Sequence, residues 1–372
     1  MNFDHRHYVP CIRWKMGEYQ AIFNLSNNAT KSITPLIEVP EIGKVPEIGF
    51  DFENWKPARS IDDHLAPFAK RVRTKWQRGP CFVDAKLIEP SMRMANGQHP
   101  VEFVFDKLRS QGCMVIPVTG LDRDLQSREA IRRAVTKDKR GFCLRLGIED
   151  ATKADPRNRV GALLSHIGLP VEKCDLILDL GAPNFEPVDG FAKLMEAIIR
   201  KLPDLRLWRT FTLIGTSFPQ SMAEVKKSPS TIRRSEWLLY KMLIENLQKT
   251  KTRLPVFGDY GINYPSVDLV DWRKVKPSAK IKYTAHDSWF IVKGPNVRDN
   301  KFDQYRDLCQ TVINSPHYSG ADFSHGDKYI ADCARGIGKT GNLTTWCMVG
   351  MNHHLEKVVA DIANFFGSSG TL

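Results

Sequence analysis

One pattern runs through most of the chain: a short β-rich apolar run, a turn, an amphipathic helical stretch, then the next run. The runs are residues 8–14 (YVPCIRW), 34–39 (TPLIEV), 81–86 (CFVDAK), 114–119 (MVIPVT), 142–146 (FCLRL), 175–180 (DLILDL), 210–217 (TFTLIGTS) and 256–260 (VFGDY). Helical periodicity fills the gaps over residues 61–77, 102–111, 125–135, 187–201 and 231–248, the last with an apolar stripe through Trp237, Tyr240, Leu243 and Leu247. Strands that alternate with helices pair in parallel, because a parallel pair needs a crossover. Eight such units predict an α/β fold of the (β/α)8 TIM-barrel type. No GxGxxG follows the first of these runs, where an open dinucleotide-binding sheet carries its Gly-rich turn. A length of 372 residues suits one barrel with added elements.

The C-terminal part departs from the repeat. Residues 281–284 and 289–293 flank a turn at 285–288 and read as a hairpin; closure of the barrel through this hairpin is the alternative register. Beyond it, a helix is expected over 301–313, a polar, Gly-rich loop or lid over 319–343, and a last helix over 355–366. The predicted division is a barrel domain, residues 1–294, and a helical and loop extension packed on it, residues 295–372.

No stretch approaches the roughly 20 apolar residues needed to cross a bilayer, and the N-terminus carries no secretory pattern, so no membrane association and a cytoplasmic location are expected. Eight cysteines without a CxxC pair read as reduced, mostly buried thiols. The tryptophans, Trp14, Trp208, Trp237, Trp272, Trp289 and Trp346 among them, read as core. With 54 Lys and Arg against 42 Asp and Glu, the net charge of +12 favours acidic partners. The basic stretches at 70–75, 132–133, 137–140 and 233–234 are solvated helix faces or a nucleic-acid surface.

In a barrel, chemistry sits at the carboxyl ends of the strands. Read there, Glu38, Asp179 and Asp259 are the candidate catalytic carboxylates, with Asp84 of the same type. Lys15, Lys86 and Arg145 are candidate anion contacts, and Tyr260 a group that orients the substrate. Carboxylates together with substrate phosphates are the usual setting for Mg²⁺, so a divalent metal is a candidate cofactor. Other motifs carry less. Gly338-Lys339-Thr340 lacks the earlier Gly of a P-loop, and adjacent His353-His354 lacks the i, i+4 spacing of a zinc pair. That pair, with Asn352 before it, reads as the start of a helix. Thr216-Ser217-Phe218-Pro219 offers a hydroxyl without a nucleophile elbow.

Tyr8-Val9-Pro10, Arg13-Trp14-Lys15, Gly17-Glu18-Tyr19-Gln20-Ala21 and Thr34-Pro35-Leu36-Ile37-Glu38 resemble the opening of the phage-named beta family. Residues 175–181 (DLILDLG), Ser217-Phe218-Pro219, Gly258-Asp259-Tyr260-Gly261 and Asn352-His353-His354 are similar to that family as well. The resemblance supplies no catalytic residue. It implies an accessory gene of phages and mobile elements, hence an anti-phage or phage-conflict role. From the residues, the leading expectation is an enzyme acting on a phosphate-bearing substrate, a nucleotide or a nucleic acid. The alternative is a non-catalytic module of a defence complex, binding nucleic acid or a protein partner encoded by a neighbouring gene.

Overall fold

The computed structural model describes residues 3–46, 55–76, 79–266 and 276–368. The eight barrel strands are β1 (Tyr8–Arg13), β2 (Leu36–Glu38), β3 (Cys81–Asp84), β4 (Val115–Thr119), β5 (Cys143–Gly147), β6 (Asp175–Asp179), β7 (Phe211–Ile214) and β8 (Val256–Asp259). They pair in parallel in chain order, and β8 returns to β1 through Tyr8 with Phe257 and Pro10 with Asp259. Each of the eight apolar runs is a barrel strand, and the hairpin takes no part in closure.

Side chains alternate across a strand, so each β-run feeds two cores. Val9, Cys11, Leu36, Phe82, Ile116, Val118, Cys143, Ile177, Ile214 and Val256 pack together inside the barrel. Their neighbours, such as Ile12, Ile37, Val83, Leu144, Leu178 and Leu213, pack against the helices. The interior is tight at Gly258, where a Cβ would lie 2.6 Å from Ile214 Cγ1 and 2.7 Å from the Val9 carbonyl.

Several helices differ from the periodicity reading. The stretch at 61–77 divides into Ile61–Leu65 and Phe68–Lys75 around Pro67, whose ring and missing N–H interrupt a helix. In the stretch at 231–248 the helix is Ser235–Lys249; the residues before it form a strand, Ser230–Arg233, paired antiparallel with Ser288–Asn296. That strand and the hairpin Ser278–Thr284/Ser288–Asn296 make a three-stranded sheet. One hairpin face, with Trp289 and Ile291, joins the barrel's outer core, and the other, with Ile281, Tyr283, Phe290 and Val292, meets the C-terminal helices.

The polar stretch at 319–343 is not simply a loop: it holds the helix His325–Ala334, N-capped by Ser324, whose Ile330 and Cys333 are buried. The last helix begins twelve residues before the expected 355 and spans Leu343–Ser368. Asn352, His353 and His354 therefore lie inside a helix, fully buried, rather than at its start. Trp14, Trp208, Trp237, Trp289 and Trp346 are core; Trp272 lies outside the described residues. All eight cysteines are unpaired, and only Cys347 is not fully buried. Among the described residues no helix is long and apolar enough to cross a membrane.

The crowding at Gly258 yields a test of the closed interior. Gly258→Ala is expected to lower stability by about 1–3 kcal/mol through overpacking, read as a reduced denaturation midpoint with an unchanged circular dichroism spectrum.

Candidate functional site at the barrel mouth

Counting on by two from the innermost apolar layer brings Arg13, Glu38, Asp84, Arg145, Asp179 and Tyr260 onto the inward face at the carboxyl ends of the strands. Arg145 stands at their centre. Its Nε donates to Asp179 Oδ2 at 2.9 Å, and its Nη1 to Glu38 Oε1 and Asp84 Oδ2, each at 2.8 Å. Nη2 donates to the Tyr260 hydroxyl at 2.9 Å and contacts Cys11 Sγ at 3.9 Å. The Tyr260 hydroxyl in turn donates to Asp179 Oδ2 at 2.7 Å. All five guanidinium protons thus have acceptors, and Arg145 has none left for a ligand.

Electrostatics fix the protonation states. Burial pushes the Glu38 carboxyl up, but Arg145 and Lys86 outweigh it and hold the group down at about 2. Burial likewise opposes ionisation of Asp179, and Arg145 with Lys86 keeps it below the usual carboxylate range. Burial and then Asp179 push the Tyr260 hydroxyl well up, so it stays a neutral donor.

Around this buried layer stand three cations that are partly exposed. Lys86 Nζ lies 2.9 Å from Glu38 Oε1 and 4.0 Å from Asp179 Oδ2. Arg123 reaches Asp84 loosely, at 3.4 Å. Arg13 Nε is 3.8 Å from Glu38, while its Nη2 donates to the Pro265 carbonyl at 2.6 Å. Their side chains are 21%, 19% and 14% exposed, against 3% for Arg145 and 1% for Glu38 and Asp84.

The structure therefore brings together Glu38, Asp179, Lys86, Arg145 and Tyr260. It sends Lys15 and Asp259 elsewhere. Lys15 is on the rim, with Nζ 2.6 Å from Glu41 and half of its side chain exposed. Asp259 is one residue out of phase with Tyr260 and faces the outer core, where it accepts from the Tyr8 hydroxyl at 2.5 Å and Gly261 N at 2.9 Å. Its Oδ2 lies 2.9 Å from His354 Nε2, and His354 Nδ1 is 2.8 Å from Thr284 Oγ1. This Thr–His–Asp chain has the connectivity of a nucleophilic triad, but its members are at most 1% exposed. Beside it, Asp327 accepts from Tyr283 and lies 2.7 Å from His353 Nδ1. The two Asp–His pairs clamp the C-terminal helix to the barrel and the hairpin.

Reading strand ends without their parity missed Arg13, whose alternation with Val9 and Cys11 signals it. Arg123, in the loop after β4, carries no such signal, and neither does Glu18, on the helix Met16–Phe23. Glu18 Oε1 accepts from Asn263 Nδ2 at 3.0 Å, and its buried Oε2 has no partner among the described residues. Burial, only partly opposed by Arg13 and Lys15, raises this carboxyl to about 8. A divalent ion does not fit the carboxylates. Arg145 Nη1 already bridges Glu38 and Asp84, and among the described residues no three His, Cys, Asp or Glu are grouped to hold a metal.

Two outcomes follow from this geometry. Arg145→Met leaves three buried carboxylates without their shared partner and is expected to cost about 3–5 kcal/mol; Arg145→Lys restores little of it, because one ammonium cannot span the same acceptors. Denaturant titration of both variants reads this. Second, folding raises Glu18 from 4.5 to about 8, so the native chain binds more protons than the unfolded chain in that window. Its contribution is complete below pH 4.5 and is lost as pH rises through 8. Glu18→Gln should gain stability over the parent at pH 9 relative to pH 5, measured as urea midpoints.

Comparison with known proteins finds a sequence relative over almost the whole chain. The chain is 23% identical over 364 residues to "Protein beta" of Enterobacteria phage P4, covering 96% of this chain and 94% of that protein. Similar solved structures include triosephosphate isomerase from Bartonella henselae, with TM-score 0.33 and 10% identity over 68% of this chain and 91% of that one. A GH18 chitinase from Pseudoalteromonas aurantia gives TM-score 0.37 and 8% identity over 72% of this chain and 98% of that one. Residues 8–360 match the family model described as Beta protein, and the chain belongs to the Beta protein family.

Proposed function

We propose that the barrel mouth binds the phosphate of a phosphorylated substrate, a nucleotide or nucleic-acid end, and that the protein is an enzyme acting on it. The observation that carries this reading is the distribution of exposure. Glu38, Asp84 and Arg145 lie beneath, while the partly exposed members of the layer at the mouth are three cations, Arg13, Lys86 and Arg123, and one carboxylate, Asp179. Within the layer four cations meet three carboxylates, Glu38, Asp84 and Asp179. A fourth carboxylate, Asp122, pairs with Arg123 at 3.5 Å on the exposed rim, so the charges are close to balanced and three of the four cations stand on the accessible side. Cations held by fixed carboxylates are preorganised for an incoming anion and need little rearrangement to receive it.

Within this reading Glu38 and Asp179 anchor the cations. Held ionised well below neutrality, they are weak proton acceptors there. Glu18, poised near 8, is the carboxyl at this end of the barrel matched to proton transfer at neutral pH. The phage relative supplies the biological setting, and an anti-phage or phage-conflict role is the one we infer.

A nucleic-acid surface on the basic helices has less support. Arg132 pairs with Glu129, Arg133 with Glu102 and Lys137 with Asp106, and Arg234 is fully buried. Calorimetric titration with inorganic pyrophosphate at low and moderate salt separates the two. Lys86→Ala with Arg123→Ala is expected to weaken binding at least tenfold, about 1.4 kcal/mol, and to flatten its salt dependence, whereas Arg132→Glu with Arg133→Glu leaves it unchanged. The reverse pattern would establish the surface-binding module instead.

A further inference from the structure

A cavity of about 350 Å³ opens at the same end of the barrel, between the loops that follow β6, β7 and β8. Its wall begins at Ala182, three residues beyond Asp179, and the connection is held by hydrogen bonds. Gly181 N donates to Asp179 Oδ1 at 2.9 Å, and Thr216 N donates to the Gly181 carbonyl at 2.9 Å. A ligand in the cavity is therefore a neighbour of the Arg145 layer.

The chemistry of the wall is the opposite of the mouth's. No Lys, Arg or His is among the described residues that line it; Glu186 and Glu224 supply carboxylates, and Asn184, Ser217 and Ser235 supply an amide and hydroxyls. A phosphate would be repelled. A group bearing hydroxyls or amines would find acceptors, above all Glu186. Its Oε1 takes the Ser235 hydroxyl at 3.0 Å and Arg233 Nη1 at 3.5 Å, while its Oε2 accepts from no described residue, and the side chain is half exposed. Ser217 is held rigid: its hydroxyl donates to buried Glu236 at 2.5 Å and accepts from Ser235 N at 2.9 Å. The volume is at the lower end of the roughly 300–1,000 Å³ typical of ligand pockets. That suits one sugar or nucleoside and not a polymer strand.

We propose that this cavity is the subsite for the neutral, hydroxyl-bearing moiety of the substrate whose phosphate sits at Lys86 and Arg123; the proposal rests on the phosphate reading above. The substrate class is thereby a small phosphorylated sugar or a mononucleotide. The two cations take the phosphate, and Glu186 takes hydroxyls.

Calorimetric titration of the full chain with inorganic phosphate, ribose 5-phosphate and a nucleoside 5′-monophosphate tests it. Expected is at least a tenfold tighter binding of one or both organic phosphates than of inorganic phosphate. Ribose 5-phosphate with the full advantage identifies a sugar phosphate, and a further gain for the nucleotide identifies a nucleotide. Ala182→Phe, which fills the cavity, should abolish the advantage and leave inorganic phosphate unaffected. Glu186→Gln, on an exposed side chain with little bearing on folding, should cut it severalfold. Inorganic phosphate bound without any organic advantage, or an advantage that survives both substitutions, overturns the cavity and spares the phosphate site. Failure of all three ligands to bind the parent overturns the phosphate reading and this one with it.

Discussion

A buried guanidinium shared by three carboxylates is the constraint around which the mouth of this barrel is built. An ionised side chain inside a protein is tolerated only where its charge and its hydrogen-bonding groups are all met. Arg145 satisfies that condition through Glu38, Asp84 and Asp179, contributed by three different strands. The strand ends must therefore hold one register, and the registers of β2, β3, β5 and β6 are tied to one side chain. The same network keeps the carboxylates ionised and holds Lys86 and Arg123 where solvent, or an anion, can reach them.

A second set of buried polar contacts performs a different task. The Asp259–His354–Thr284 and Asp327–His353 chains link the last strand, the hairpin and the final helix. Asn352 extends the seam by donating to the carbonyls of Ala21 and Asn24. The Asn-His-His motif is thus a structural clasp: it fastens the C-terminal helix to the outside of the barrel. On the helix surfaces several basic residues are paired with neighbouring carboxylates, among them Arg132, Arg133 and Lys137.

The barrel was legible because its signal is repetitive: eight apolar runs, each long enough to cross the sheet, each followed by a segment of helical period. Glu38, Lys86, Arg145, Asp179 and Tyr260 were legible because polar residues at strand ends stand out against such runs. Asp259 misled for a reason of one residue. Parity along a strand decides whether a side chain enters the barrel or leaves it, and adjacent Tyr260 took the inward place. Lys15 lies beyond the strand, where parity no longer guides the chain. The helix at His325–Ala334 was hidden because Asp327, polar in sequence, is buried by Tyr283 and His353 from distant segments. Glu18 and Arg123 reach the site through loop and helix geometry that no local pattern encodes.

The most direct test of the anion-binding mouth is a crystal structure of the protein soaked in tungstate, whose anomalous scattering marks where a phosphate-like anion binds. A peak within hydrogen-bonding distance of Lys86 and Arg123, above an Arg145 still bonded to its three carboxylates, is the predicted result. Anion peaks confined to the outer helices, with the mouth empty or Arg145 released from Glu38 and Asp179, would contradict it.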